Sequence, residues 1–174
     1  MKKLILLMLA LVMASFTFVY ADTVQVGTGT STSSYLPLYG LYGYNYTQQI
    51  YTQAQIGVAG NITKIRFYYV SGTITNSKDW VVYMGHTTKT TFATTTDWEP
   101  LANLTQVFAG DVTSLVPLAN NWMEITLSTP FAYNNTDNLI VAVDENTAGY
   151  ASMSWGAFTS GTNTGIYYSS DTIN

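Results

Sequence analysis

The chain has no cysteine, one histidine and few charges: Asp, Glu, Lys and Arg together make up 9% of its 174 residues. Without cysteine it can form no disulfide, thiolate zinc site or iron–sulfur cluster, and it has no thiol nucleophile. The folded state must therefore be stabilised by a hydrophobic core alone. A chain of this length is long enough to bury one such core.

Positive charge is especially scarce. The chain contains six Lys and Arg residues against ten Asp and Glu residues, and Lys2 and Lys3 are two of the six. Proteins that bind nucleic acid neutralise phosphates with clusters of Lys and Arg. We therefore expect no nucleic-acid partner.

The first 21 residues have the pattern of a secretory signal peptide. Met1–Lys3 is basic, Leu4–Val12 is apolar, and Ala21 is the small residue before the expected cleavage point. An uncleaved membrane anchor is the alternative, but Ser15 and Thr17 interrupt the apolar segment. No later apolar run is long enough to span a bilayer. We therefore expect a secreted or cell-surface protein whose mature chain contains no membrane span.

The mature chain has the composition and the periodicity of a β-protein. Thr and Tyr are abundant, and apolar residues alternate with polar ones in Ile62–Val70 and Trp122–Leu127. Leu139–Val143 is apolar at every position, which predicts a central strand covered on both faces. Six further strands are expected: Thr23–Val26, Gln48–Tyr51, Val81–Met84, Leu104–Phe108, Ser152–Trp155 and Ile166–Ser169.

Clusters of Gly, Asn, Asp and Ser separate these runs and predict turns. The clusters are Ser71-Gly72, Thr75–Asp79, Ala109–Asp111, Asn120-Asn121 and Asn134–Asp137. Single helical turns are expected near Thr52–Ile56 and Thr94–Trp98. About eight or nine short strands with frequent turns predict an all-β fold, an antiparallel β-sandwich.

The sequence predicts a single domain over residues 22–174. Residues 22–40 are expected to be extended or mobile, because Gly27–Ser34 is of low complexity. Asp171–Asn174 has the composition of a linker. We therefore expect this domain to be the first module of a longer polypeptide.

Four segments resemble a module found in secreted proteins of Bacteroidetes-like bacteria. They are Gly27–Gly40, Gln48–Tyr51, Tyr83–Phe92 with Asp97-Trp98, and Pro130–Val143. The resemblance implies a jelly-roll-like β-sandwich at the cell surface or outside the cell. In such proteins the module often precedes fibronectin type III repeats, adhesin-like or peptidase domains and a type IX secretion sorting domain. The resemblance supplies no catalytic residues.

The sequence lacks the residues of common hydrolytic mechanisms. His86 is the only histidine, and no Gly-x-Ser-x-Gly motif presents a nucleophile to it. We expect His86 to be a turn residue that hydrogen-bonds nearby backbone. A pair of carboxylates could hydrolyse glycosides, and spacing alone does not exclude such a pair. The candidates for it are Glu99, Glu124, Asp144 and Glu145. The favoured prediction is that the protein is not an enzyme.

Exposed tryptophans are the candidate ligand-binding residues, because aromatic rings stack on the apolar faces of sugars. Trp122 alternates out of phase with the apolar residues of its strand, and Trp98 lies in a turn. The alternative is that these rings pack in the core or cover the edges of sheets.

A structural calcium ion is the one cofactor that the sequence suggests. Asp137, Asp144 and Glu145, with Asn138 and Asn146, offer the hard oxygen ligands that calcium prefers. The chain has no Asp-x-Asp-x-Asp loop.

Three functions remain open on this basis. The leading hypothesis is a non-catalytic extracellular or cell-surface module for adhesion or scaffolding, with glycans or other surface proteins as partners. The second is a carbohydrate-binding module that uses exposed Trp and Tyr side chains. The third is an ancillary domain of a secreted hydrolase.

Overall fold

The computed structural model describes residues 22–28 and 31–174. The predicted signal peptide, residues 1–21, lies outside the described residues. Within the described ranges, no helix is both long enough and apolar enough to cross a membrane.

Strands dominate the described part of the chain. They are β1 (Ser31–Ser33), β2 (Tyr44–Tyr51), β3 (Gly60–Gly72), β4 (Asp79–Thr87), β5 (Thr105–Asp111), β6 (Asn121–Tyr133), β7 (Asn138–Glu145), β8 (Met153–Ala157) and β9 (Gly165–Ser170). One short helix, α1 (Gln53–Ile56), follows β2, and single 3₁₀ turns cover Leu101–Asn103 and Thr113–Leu115.

The strands form two antiparallel sheets with jelly-roll topology. One sheet has the order β1-β8-β3-β6, and the other has the order β5-β4-β7-β2-β9. β1 pairs with β8, β2 with β7, β3 with β6 and β4 with β5, as if one long hairpin were wrapped around itself. β9 extends the second sheet by pairing with β2. The predicted all-β sandwich is thus confirmed, together with its jelly-roll character.

The main core lies between the two sheets and is built by alternation along the strands. Trp80 and Trp155 are both 0% exposed, and their ring centroids lie 5.9 Å apart at the centre of an aromatic group. Phe67 packs edge-on against both rings, at 6.3 Å from each. Other members of this core are Tyr69, Val82, Met84, Met123, Ile125, Leu127, Leu139, Val141, Val143 and Met153.

β7 is buried on both faces, as the continuous apolar run predicted. Leu139, Val141 and Val143 belong to the main core. Ile140 points the other way and belongs to a second buried cluster on the outer face of the five-stranded sheet. Its buried partners are Ile50, Phe92 and Ile166, and Trp98 and Leu104 pack against it. A segment after β4, residues 88–104, supplies Phe92, Trp98 and Leu104 and so covers part of that outer face.

Several local predictions are confirmed and others are wrong. Thr52 caps α1 through a capping box with Gln55, in agreement with the predicted helical turn. Thr23–Val26 forms no strand, and Thr94–Trp98 forms a turn without a helix. Ala109–Asp111 continues β5 instead of turning, because these residues pair with the first residues of β4. Part of the low-complexity segment forms β1, which pairs with β8.

Substitutions in β7 test whether both faces of this strand are covered. Leu139→Ala and Ile140→Ala should each lower the free energy of unfolding by about 2–5 kcal/mol, because each leaves a cavity in a buried cluster. Urea denaturation measures both values. Thr126→Ala, at an exposed position of β6, is the control and should change the value by less than about 0.5 kcal/mol. A loss for Ile140→Ala as small as that of the control would contradict the second cluster.

Candidate functional site

The part of the outer face of the five-stranded sheet that the 88–104 segment leaves open is aromatic. Tyr46 of β2 lies directly opposite Asp144 of β7 and Tyr168 of β9. Tyr83 of β4 lies opposite Ala142, two residues before Asp144. All four side chains are out of phase with the inward residues of their strands, so they share the outer face. We call Tyr46, Tyr83, Trp98, Tyr168 and Asp144 the aromatic face.

Trp98 stands at the border between the covered and the open part of this face. Its ring centroid lies 5.2 Å from that of Tyr46, and the two planes are tilted by 49°. Both rings are partly exposed. The pair therefore forms a bent aromatic surface beside the Asp144 carboxylate.

Hydrogen bonds fix the segment that carries Trp98. The buried Gln48 amide donates from Nε2 to the carbonyl oxygen of Glu99 at 2.8 Å, and its Oε1 accepts from the Glu99 backbone N–H at 2.8 Å. Lys89 Nζ donates to Asp97 Oδ1 at 2.6 Å and to the carbonyl oxygens of Asp97 and Trp98 at 2.7 and 3.2 Å. These contacts hold the backbone on both sides of Trp98, which limits the entropy lost when a ligand binds.

Burial and neighbouring charge shape the electrostatics of the aromatic face. Burial raises the pKa of Asp144 above its usual range, although a hydrogen bond from Asn146 opposes the shift. Burial also raises the pKa values of Tyr46 and Tyr83, and the nearby Asp144 carboxylate adds to both shifts. The face therefore presents neutral phenols around one acidic acceptor.

A cleft separate from the aromatic face lies at the end of the sandwich where β4 meets the 88–104 segment. It encloses about 380 Å³ and is lined by His86, Thr87, Thr88, Lys89, Glu99 and Asp137. Its charged groups already have hydrogen-bond partners: Glu99 accepts from Thr87 and Asn103, Lys89 donates to Asp97, and Asp137 accepts from Asn134. We therefore place the candidate site on the aromatic face and not in this cleft.

His86 lies at the end of β4, inside the strand, and not in the turn that the sequence predicted. Its Nε2 accepts a hydrogen bond from the Asn134 backbone N–H at 3.2 Å. Its ring stacks on Tyr133 at 5.8 Å and lies 5.0 Å from Phe131. The backbone hydrogen bond was expected, but it reaches a turn 48 residues away in the sequence.

Trp122 lies on the opposite side of the molecule from Trp98. It is 44% exposed on the outer face of the four-stranded sheet, where its ring packs edge-on against Tyr68 at 5.3 Å. Lys64 and Arg66 both pair with Glu124 on the same face. The two candidate tryptophans therefore cannot contribute to one binding site.

The residues of the calcium hypothesis do not meet in the structure. Asp137 precedes β7, whereas Asp144 and Glu145 lie at its far end, so most of an eight-residue strand separates them. Asp144 and Glu145 also point to opposite faces of the sheet, since they are adjacent along a strand. Asp137 Oδ2 accepts from Asn134 Nδ2 at 2.7 Å. Among the described residues, no cluster of three or more His, Asp or Glu side chains is arranged to hold a metal ion.

Glu145 is a buried acid at the edge of the main core. It is 0% exposed and lies opposite Asn45 on β2 and Trp80 on β4. Its Oε1 accepts from the Thr147 backbone N–H at 2.6 Å, and its Oε2 has no hydrogen-bond partner among the described residues. Burial raises the pKa of this carboxyl to about 7.

Sequence reasoning found Trp98 and Asp144 but assigned them to different ligands, and it missed Tyr46, Tyr83 and Tyr168. For Tyr83 the available signal was its phase, because it alternates with Val82 and Met84 of the main core, whereas Tyr46 and Tyr168 have no neighbour in that core. The pairing of β2 with β7 and β9 was needed to show that the tyrosines share a face with Asp144.

No protein-family model matches the chain, and no curated protein or solved structure matches it significantly.

Replacement of Glu145 tests its buried, protonated state. The folded state keeps this proton up to about pH 7, whereas the unfolded state releases it near pH 4.5, so Glu145 makes the protein less stable as the pH rises between these values. Glu145→Gln preserves the acceptor for Thr147 and removes the titration. Calorimetry measures the Tm of both proteins. The wild-type Tm minus the variant Tm should decrease by a few degrees as the pH is raised from 4.5 to 8. A Tm difference that stays constant over this range would contradict the assignment.

Proposed function

We propose that the protein is a non-catalytic, extracellular glycan-binding module whose binding surface is the aromatic face of the five-stranded sheet. The observation that carries this proposal is the position of Tyr46 and Trp98, 5.2 Å apart beside Asp144 on the outer face of the sheet, where Ile173 and Asn174 border a small pocket. This geometry combines two elements of sugar recognition, a ring that stacks and an acceptor that takes hydroxyl protons.

The spacing of the aromatic side chains across the sheet favours an oligosaccharide or polysaccharide ligand over a monosaccharide. Tyr46 and Tyr83 belong to strands separated only by β7, and neighbouring strands lie about 4.8 Å apart. Their backbone positions are therefore about 10 Å apart across the sheet and two residues apart along it. Tyr168 extends the aromatic surface on the other side of Tyr46. An extended ligand lying across the strands would contact all three.

Adhesion or scaffolding at the cell surface follows as the biological role in this proposal. The basic and apolar start of the sequence supports export, and the resemblance to modules of secreted bacterial proteins supports a place at the front of a longer polypeptide. If the protein is instead an ancillary domain of a secreted hydrolase, the same face would hold the polymer near a separate catalytic domain. The contacts of His86 with Asn134, Tyr133 and Phe131 support a structural role for the only histidine.

Substitutions on the two outer faces test the proposal. Purified protein is screened against a set of immobilised plant, algal and animal polysaccharides, and the best ligand is titrated by calorimetry. Tyr46→Ala and Trp98→Ala should each weaken binding about two- to tenfold, since an aromatic–sugar contact is comparable in free energy to an aromatic pair. Unfolding curves confirm that both variants are folded.

Trp122→Ala is the matched control, because it removes an equally aromatic side chain from the opposite sheet. It should leave the affinity unchanged. Loss of binding in Trp122→Ala, with full binding in Tyr46→Ala and Trp98→Ala, would move the site to the four-stranded sheet. No binding of the wild type to any polysaccharide would overturn the proposal.

A further inference from the structure

The charges on the aromatic face restrict the class of glycan. We infer that this face selects uncharged polysaccharides over acidic ones and that Asp144 is the residue that receives the sugar hydroxyls. This inference rests on the proposed function and goes beyond it by naming the ligand class and the specificity residue.

Each Lys and Arg among the described residues pairs with a carboxylate. Lys64 and Arg66 pair with Glu124 on the other sheet, and Lys78 pairs with Asp111 at the edge of β4 and β5. Lys89 lies beside Trp98, since its Nζ donates to the Trp98 carbonyl oxygen at 3.2 Å, and its charge is compensated by Asp97. The aromatic face therefore offers no unpaired cation to a uronate or sulfate group, and anionic ligands would meet the Asp144 carboxylate without compensation.

Asp144 is placed to accept hydrogen bonds from a neutral ligand. It lies opposite Tyr46 in the β2–β7 pair and opposite Val81 in the β4–β7 pair, so aromatic and apolar side chains flank it. Two hydroxyls on adjacent carbons of a sugar can donate to the two oxygens of one carboxylate, and such charge-assisted bonds are roughly twice as strong as neutral ones. A sugar ring stacked on Tyr46 would bring its hydroxyls to this position.

The surroundings of Asp144 define how its charge can be tested. The ionisable groups around it are Tyr46 on β2, Tyr83 and Asp79 on β4, Tyr168 on β9, and Glu145, which follows it and faces the core. Ile173 and Asn174 line the same small pocket. The tyrosines stay neutral between pH 4 and 8, so they do not contribute to a change of affinity in this range. Glu145 does titrate in this range and therefore requires its own control.

The experiment measures affinity for two sets of soluble polymers. The uncharged set is mixed-linkage β-glucan, galactomannan and xyloglucan, and the acidic set is polygalacturonate, alginate and chondroitin sulfate. Wild-type protein should be retarded in native gels by at least one uncharged polymer and by none of the acidic ones. Asp144→Asn keeps the size of the side chain but removes its charge, and it should weaken binding of the uncharged polymer at least fivefold.

The pH dependence separates a charge effect from a packing effect. Wild-type affinity for the uncharged polymer should fall as the pH is lowered from 7 to 4, because protonation of Asp144 removes an acceptor, whereas Asp144→Asn should be nearly independent of pH. Glu145→Gln should keep the wild-type profile. A higher affinity for an acidic polymer, or an Asp144→Asn variant that binds like the wild type, would overturn this inference but leave the glycan-binding proposal intact. If the wild-type protein binds no polymer of either set, both this inference and the glycan-binding proposal are overturned.

Discussion

Alternation of side chains along β2 and β7 is the constraint on which the rest of the structure depends. On β7, Val143 faces the main core and Asp144 faces outward, so one strand serves the core and the candidate site together. Burial of Leu139, Val141 and Val143 fixes the register of the strand. A slip of the register by one residue would bring Asp144 into the apolar core and remove Val143 from it. The slipped register is disfavoured because the hydrophobic free energy of burying Val143 would be lost. The core thereby positions Asp144 opposite Tyr46.

The second constraint is the segment 88–104, which is held without disulfides. Phe92 is buried against Ile140, and polar contacts from Gln48 and Lys89 fix the backbone near Trp98. The buried amide of Gln48 makes two hydrogen bonds with the backbone of Glu99, and these bonds attach the segment to β2. The segment covers part of the outer face, around Ile50, Ile140 and Ile166. Trp98 meets Tyr46 at the border of this covered part.

Much of the fold is readable from the sequence, because its information is local. The apolar run Leu139–Val143 predicted a strand covered on both faces, and the alternation in Trp122–Leu127 predicted that Trp122 is exposed. β1 was missed because Ser31–Ser33 is polar and short, and it becomes a strand only by pairing with β8. The jelly-roll topology came from a resemblance and not from periodicity, since strand order depends on contacts between distant segments.

The site was harder to predict than the fold, because its residues come together only through the pairing of strands that are distant in the sequence. Tyr46 and Asp144 face each other across strands that are nearly a hundred residues apart in the sequence. A tyrosine in an alternating run fits a core as well as an exposed face, as Tyr69 in the core and Tyr168 on the surface illustrate. Asp144 and Glu145 appear equivalent in the sequence, yet one is an acceptor on an open face and the other is a buried acid beside Trp80.

The most direct test of this account is a map of the amides that respond to a bound neutral oligosaccharide, obtained from ¹H–¹⁵N spectra of the isotopically labelled protein. We expect the largest shifts at Tyr46, Tyr83, Asp144 and the indole N–H of Trp98. The amides of Tyr68, Trp122 and Glu124 on the opposite sheet should be unaffected. Shifts confined to the opposite sheet, or to the cleft beside His86, would contradict it.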